Sequence, residues 1–169
     1  MTLFDTISAR RGSNTLLWNL LLVMAGSLLL TISAKVQVPF YPVPLSMQTF
    51  VAIGLGLALG PVRGTAAVVF YLMQGAAGIP VFAGTPQQGI GMAYMMGPTG
   101  GYLLGFVLAA FVAGLFARIG FDRNPVTAMV AALVAGAVIY LPGLAWLGLF
   151  TGYGETLLAA GLYPFVLGD

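Results

Sequence analysis

Charge is almost absent from this sequence, and where it stands it divides the chain. Six Lys/Arg and four Asp/Glu are spread over 169 residues. They stand at Asp5, Arg10, Arg11, Lys35, Arg63, Arg118, Asp122, Arg123, Glu155 and Asp169, leaving uncharged intervals at 12–34, 36–62, 64–117 and 124–154. A helix that crosses a bilayer needs about 20 largely apolar residues, with about 17 to 25 tolerated. The intervals therefore read as an all-α integral membrane protein in one transmembrane domain, 1–169. Its spans fall at about 16–34, 45–60, 62–77, 99–117 and 125–150.

Composition excludes the other classes. Charged residues make up 6% and hydrophobic residues 60%, against a usual charged share of about 25%. Ten charges cannot solubilise a domain of this length. Disorder needs the opposite balance. Nucleic-acid binding needs clustered Lys/Arg, so no nucleic-acid partner is expected. Cysteine and histidine are both absent. Disulfides, Cys/His metal sites and Ser-His or Cys-His catalysis are thereby ruled out, and no enzyme activity, metal or cofactor is expected. No GxxxxGK[ST] phosphate loop is present either.

Proline and glycine punctuate the spans. Pro39, Pro42 and Pro44 forbid helix before the second span, and Gly60-Pro61 breaks the chain between the second and third. Pro142-Gly143 predicts a kink in the fifth. The segment 78–98 reads as one long loop rich in breakers and free of charge. The apolar piece 156–163 is too short to span and is expected at the interface.

If the spans alternate, Arg10, Arg11, Arg63, Arg118 and Arg123 share one side and Lys35 stands on the other. The positive-inside rule then puts the N-terminus in the cytoplasm and both loops outside. Lys35 and Arg63 read as interfacial anchors with snorkelling stems. Irregular backbone at membrane depth survives only where it is buried or lines a cavity. The two outward loops are therefore expected to fold into the bundle and close over a small molecule. The polar groups on that side are Tyr41, Ser46, Gln48, Thr49, Thr85, Gln87, Gln88, Tyr94, Thr99, Tyr102 and Asp169. Asp169 reads either as a solvated acid or as a membrane carboxylate that needs a partner. Ser27/Thr31 and Gly101/Gly105 have the small-xxx-small spacing of close helix contacts.

Four ordered segments resemble the BioY family. They are Pro42-Val43-Pro44-Leu45-Ser46-Met47-Gln48-Thr49, the run Gly75 to Gly84 (GAAGIPVFAG), Gly97-Pro98-Thr99-Gly100-Gly101-Tyr102, and Pro164-Phe165-Val166-Leu167-Gly168-Asp169. Members of that family are substrate-binding S components of energy-coupling-factor (ECF) vitamin transporters, and their ligand is biotin. The resemblance implies an S-component-like bundle of six transmembrane helices in the cell (inner) membrane. About five would fall within this sequence, with the sixth expected to begin near residue 168. It implies a site facing outside, with Asp169 accepting from the ureido N–H groups and the lid Phe82, Ala83 and Gly84 covering the ring system. With the outward polar groups, the expected substrate-binding set is Asp169, Phe82, Ala83, Gly84, Tyr41, Gln48, Gln87, Thr99 and Tyr102. The implied partners are biotin, a transmembrane coupling subunit, two ABC-type ATPases and the bilayer. S components often dock through an AxxxA stripe on helix one; here Ala25 is followed by Leu29 at that spacing, and Ser27/Thr31 is the expected substitute. The alternatives are an S component for another small vitamin, or a membrane subunit that only assembles with partners.

Overall fold

A computed structural model describes residues 15–38 and 43–163. Among the described residues there are six α-helices: α1 (Thr15–Lys35), α2 (Gln48–Ala76), α3 (Gly91–Met95), α4 (Gly100–Arg118), α5 (Pro125–Thr151) and α6 (Glu155–Gly161). A two-residue antiparallel pair, β1 (Gln37–Val38) with β2 (Leu45–Ser46), joins α1 to α2. This small ladder is absent from the all-α expectation. It satisfies backbone groups that the prolines keep out of helix.

Among the described residues, four helices are long and apolar enough to cross a membrane: α1, α2, α4 and α5. The α2 helix is not one straight rod. Gly60 has φ 80° and ψ 177°, a conformation that favours glycine, and Pro61 follows. A Cβ on Gly64 would lie 2.7 Å from the Leu55 carbonyl oxygen and 2.9 Å from the Gly56 Cα. Gln48 reaches Tyr71 with a 2.7 Å hydrogen bond. Along a straight helix those two residues would stand about 35 Å apart at about 1.5 Å per residue. The chain therefore turns back at Gly60-Pro61, and α2 is two antiparallel arms, 48–59 and 61–76. By contrast α5 stays helical through Pro142. Its start is set by Asn124, whose side chain accepts from the Val126 N–H at 2.9 Å, with Pro125 at the first helical position. The long loop 78–98 contains the short α3.

Glycine decides how closely the helices approach. A Cβ on Gly56 would overlap the Ala110 carbonyl, and one on Gly114 would overlap Pro61. Gly101 and Gly105 meet Pro142 and Ile139 of α5 in the same way. Small residues thus let α4 seat against both α2 and α5, as the Gly101/Gly105 spacing suggests. Ala67, Ala109, Ala110, Ala113 and Ala135 are fully buried in the same seams. In a helix interior Gly→Ala normally gains about 1 kcal/mol. At Gly114 the added methyl meets backbone, and overpacking costs about 1–3 kcal/mol. Gly114→Ala will therefore lower the thermal midpoint in detergent; an unchanged or raised midpoint would contradict this packing.

The bundle has two distinct ends. The α2 turn at Gly60-Pro61 lies against Gly114, which brings Arg63 and Arg118 to one end. Lys35, β1, β2 and the loop after Ala76 lie at the other. The outer faces of α1 and α5 carry exposed Leu16, Leu20, Met24, Leu28, Met129, Leu133 and Leu141, as expected of surfaces that face hydrocarbon. Ser27 is a correction. It is fully buried and donates to Gln74 of α2, and Thr31 donates to the Ser27 carbonyl at 3.0 Å. Ser27 thus belongs to an internal seam and presents nothing to a partner, whereas Ala25 and Leu29 lie on the exposed face.

Candidate ligand-binding site

At the end that carries Lys35, four stretches of the chain converge on one cavity. Its walls are Val43, Pro44, Ser46, Gln48 and Thr49 from the segment entering α2, Ala83 from the loop after α2, Thr99, Tyr102 and Phe106 from α4, and Ile139 and Tyr140 from α5. Its volume is about 20 Å³, the scale of a single water. A larger guest therefore requires the 43–46 segment or the loop at Ala83 to move outward.

A relay of hydrogen bonds fixes the cavity wall. Ser46 Oγ donates to Gln48 Oε1 at 3.0 Å, Gln48 Nε2 donates to the Tyr71 hydroxyl at 2.7 Å, and that hydroxyl donates to the Val81 carbonyl at 3.1 Å. Gln48 is 3% exposed, so leaving its amide unpaired would be expensive. The relay ties β2, both arms of α2 and the loop 79–85 into one unit. On the opposite wall the Tyr102 hydroxyl donates to the Gly161 carbonyl at 2.7 Å, and its ring packs edge-on to Tyr140 with centroids 6.5 Å apart. That bond places α6 behind the site.

The loop 79–85, the segment expected as a lid, has its own anchor. Phe82 is fully buried. Its ring meets Tyr71 edge-on at 5.4 Å and stacks on Tyr94 at 5.0 Å. Gly75 leaves the space: a Cβ there would overlap the ring. Gly84, at φ +72°, turns the chain, and Thr85 Oγ1 closes the turn by donating to the Phe82 carbonyl at 2.6 Å. Burial pushes the Tyr94 phenol up from its ordinary value, so it remains a neutral O–H.

The expected site residues separate accordingly. Gln48, Ala83, Thr99 and Tyr102 line the cavity. Phe82 is not on that wall; its ring packs into the socket of Gly75, Tyr71 and Tyr94. Gly84 shapes the lid. Gln87 is exposed on the lid's outer side. Tyr41 and Asp169 lie outside the described residues. Tyr140, Phe106 and Ile139 were not anticipated. They sit on helices that are apolar on every face, where no periodicity marks a lining position. Lys35 also differs from expectation. Its ammonium is bound by lid carbonyls rather than left as a snorkelling anchor. Among the described residues no three His, Cys, Asp or Glu side chains gather as metal ligands.

A second, wider groove of about 1020 Å³ opens beside the cavity, between the first arm of α2 and α5. It shares Ser46, Thr49 and Tyr140 with the cavity, and Leu162, just after α6, lies on its wall.

A bundle with this arrangement has been seen before. The whole chain superposes, with a TM-score of 0.78 and 25% identity, on 86% of the crystal structure of the S-component for biotin from an ECF-type ABC transporter. The fold therefore defines an S-component-like membrane protein. Within that class the chain belongs to the BioY family, which residues 7–169 match. It is 40% identical over 141 residues to the "Probable biotin transporter BioY" of Pyrococcus horikoshii, covering 83% of this chain and 80% of the relative. It is 36% identical over 151 residues to the "Biotin transporter BioY" of Thermotoga maritima, covering 88% and 86%.

Proposed function

We propose that this chain takes up biotin, as the membrane-embedded substrate-binding subunit of an ECF-type vitamin transporter. One observation carries the reading. The segments 43–49, 75–84 and 97–102 are far apart in sequence, and all three contribute to the wall of the one cavity. Its wall suits the ligand: Ser46, Gln48, Thr49 and Thr99 offer hydrogen bonds, while Tyr102, Phe106 and Tyr140 offer apolar faces. In this reading the site holds its ligand without transforming it, and binding uses no cofactor.

Asp169 completes the site in this reading. The chain leaves α6 at Leu162, on the wall of the groove that adjoins the cavity. Asp169 is assigned to the site because it ends the segment 164–169 that resembles the family's, seven residues after Leu162 in the sequence. A carboxylate there accepts from both ureido N–H groups of biotin. The end carrying Lys35 and the lid faces outside, and the end carrying Arg63, Arg118 and Arg123 faces the cytoplasm, in keeping with the positive-inside rule. A coupling membrane subunit and two ABC-type ATPases supply the energy, and the exposed face of α1 around Ala25 and Leu29 is the docking surface.

A thermal-shift screen of the purified protein against a panel of vitamins tests the assignment. Selective stabilisation by biotin is the expected result, because a ligand bound only to the folded state raises its stability. Stabilisation by a different vitamin would transfer the assignment to that ligand. Stabilisation by none would favour a subunit that only assembles with partners.

A further inference from the structure

We infer that Lys35 is the latch of the lid: its ammonium holds the loop 80–85 shut over the cavity, and so sets how slowly the ligand leaves. This rests on the binding function proposed above, with a positioning role that belongs to the lid alone. Lys35 Nζ lies 2.8 Å from the Pro80 carbonyl oxygen, 3.1 Å from that of Phe82 and 3.2 Å from that of Thr85. Thr85 Oγ1 adds a fourth acceptor at 3.1 Å. That hydroxyl spends its own proton on the Phe82 carbonyl, so its oxygen is available to the ammonium. Three N–H donors thus meet a cup of four oxygens on one short loop.

The acceptors explain why a cation is needed. A turn this tight aims its carbonyls toward one point without helix or strand to pair them, and those of the buried residues Phe82 and Thr85 need partners. An ammonium supplies three donors from one point and makes charge-assisted bonds, which are stronger than neutral ones. The point itself is fixed. Leu30 and Ala34 are fully buried, and Ser33 donates to the Leu30 carbonyl at 2.8 Å. The end of α1 is therefore held rigidly against the bundle, and Lys35 extends from it to the lid. The lid is clamped from two sides. Phe82 and the Tyr71–Val81 bond hold it to α2 from within, and Lys35 holds it to α1 from without. Ala83, the one lid residue on the cavity wall, lies between these two fastenings.

Residues 1–169 contain no cysteine, so Val81→Cys introduces a single thiol among them, at a lid position that is 4% exposed and off the cavity wall. Its reaction rate with a water-soluble maleimide reads lid opening with no ligand present. Adding Lys35→Met, which keeps the stem and removes the charge, is expected to raise that rate about tenfold or more. In the protein without the thiol, Lys35→Met should speed biotin release by a similar factor and leave the association rate within about threefold. A merely structural loss would lower the thermal midpoint and slow association as well. Thr85→Val, which removes one acceptor, should give a smaller increase in the same direction. Equal labelling rates with and without Lys35 would overturn the latch. Labelling decides this even if biotin fails to bind, an outcome that would overturn only the functional reading.

Discussion

Phe82→Ala will weaken biotin binding by about two orders of magnitude while leaving the bundle folded. Phe82 does not touch the cavity; it is the lid's buried anchor, wedged against Gly75 between Tyr71 and Tyr94. Truncating a fully buried Phe costs about 3–5 kcal/mol. Here most of that loss falls on the closed lid rather than on the helix seams, because the socket lies at the lid's own contact with α2. A ligand that requires the closed lid then binds only the fraction of molecules that close, which lowers its apparent affinity in proportion. At about 1.4 kcal/mol per decade, a loss of about 3 kcal/mol is about a hundredfold. Isothermal titration with biotin measures it. Gly75→Val should reproduce the effect from the opposite side, since its side chain would occupy the space of the ring. Unchanged affinity in Phe82→Ala would show that the lid is not part of the binding equilibrium.

Asp169→Asn will reduce affinity for biotin by about ten- to a hundredfold with little change in the thermal midpoint of the ligand-free protein. The substitution keeps the shape and one acceptor oxygen. It removes the charge and replaces the second acceptor with a donor, which faces a ureido N–H with another N–H. Hydrogen bonds to charged groups contribute about 1.5–3 kcal/mol each, so one such loss accounts for the predicted range. Competition with desthiobiotin, which keeps the ureido ring and lacks the sulfur, should show the same loss. Wild-type affinity in Asp169→Asn would move the ureido contact to another residue.

The bundle and its breaks were legible because both follow from composition: charge-free runs of membrane length, and Gly60-Pro61 placed where a helix must stop. The cavity was legible only in part. Gln48, Thr99 and Tyr102 are polar groups in an apolar chain, and such groups stand out. Tyr140 and Ile139 do not, because α5 is apolar on all sides and the sequence carries no sign of which face looks inward. Phe82 lies in the expected loop, but its ring is off the cavity wall. It packs into the socket formed by Gly75, 7 residues earlier, and Tyr94, 12 residues later. Lys35 was the least visible. A lone lysine at a helix end has the same pattern whether it snorkels to water or reaches a loop 45 to 50 residues downstream, and backbone carbonyls leave no signature in a sequence.

The central claim is that the cavity under the lid binds biotin, and isothermal titration of the purified full-length protein with biotin tests it most directly. A saturable isotherm with one biotin per chain is the predicted result. The absence of saturable heat, in a preparation whose thermal melt shows it folded, would contradict the account.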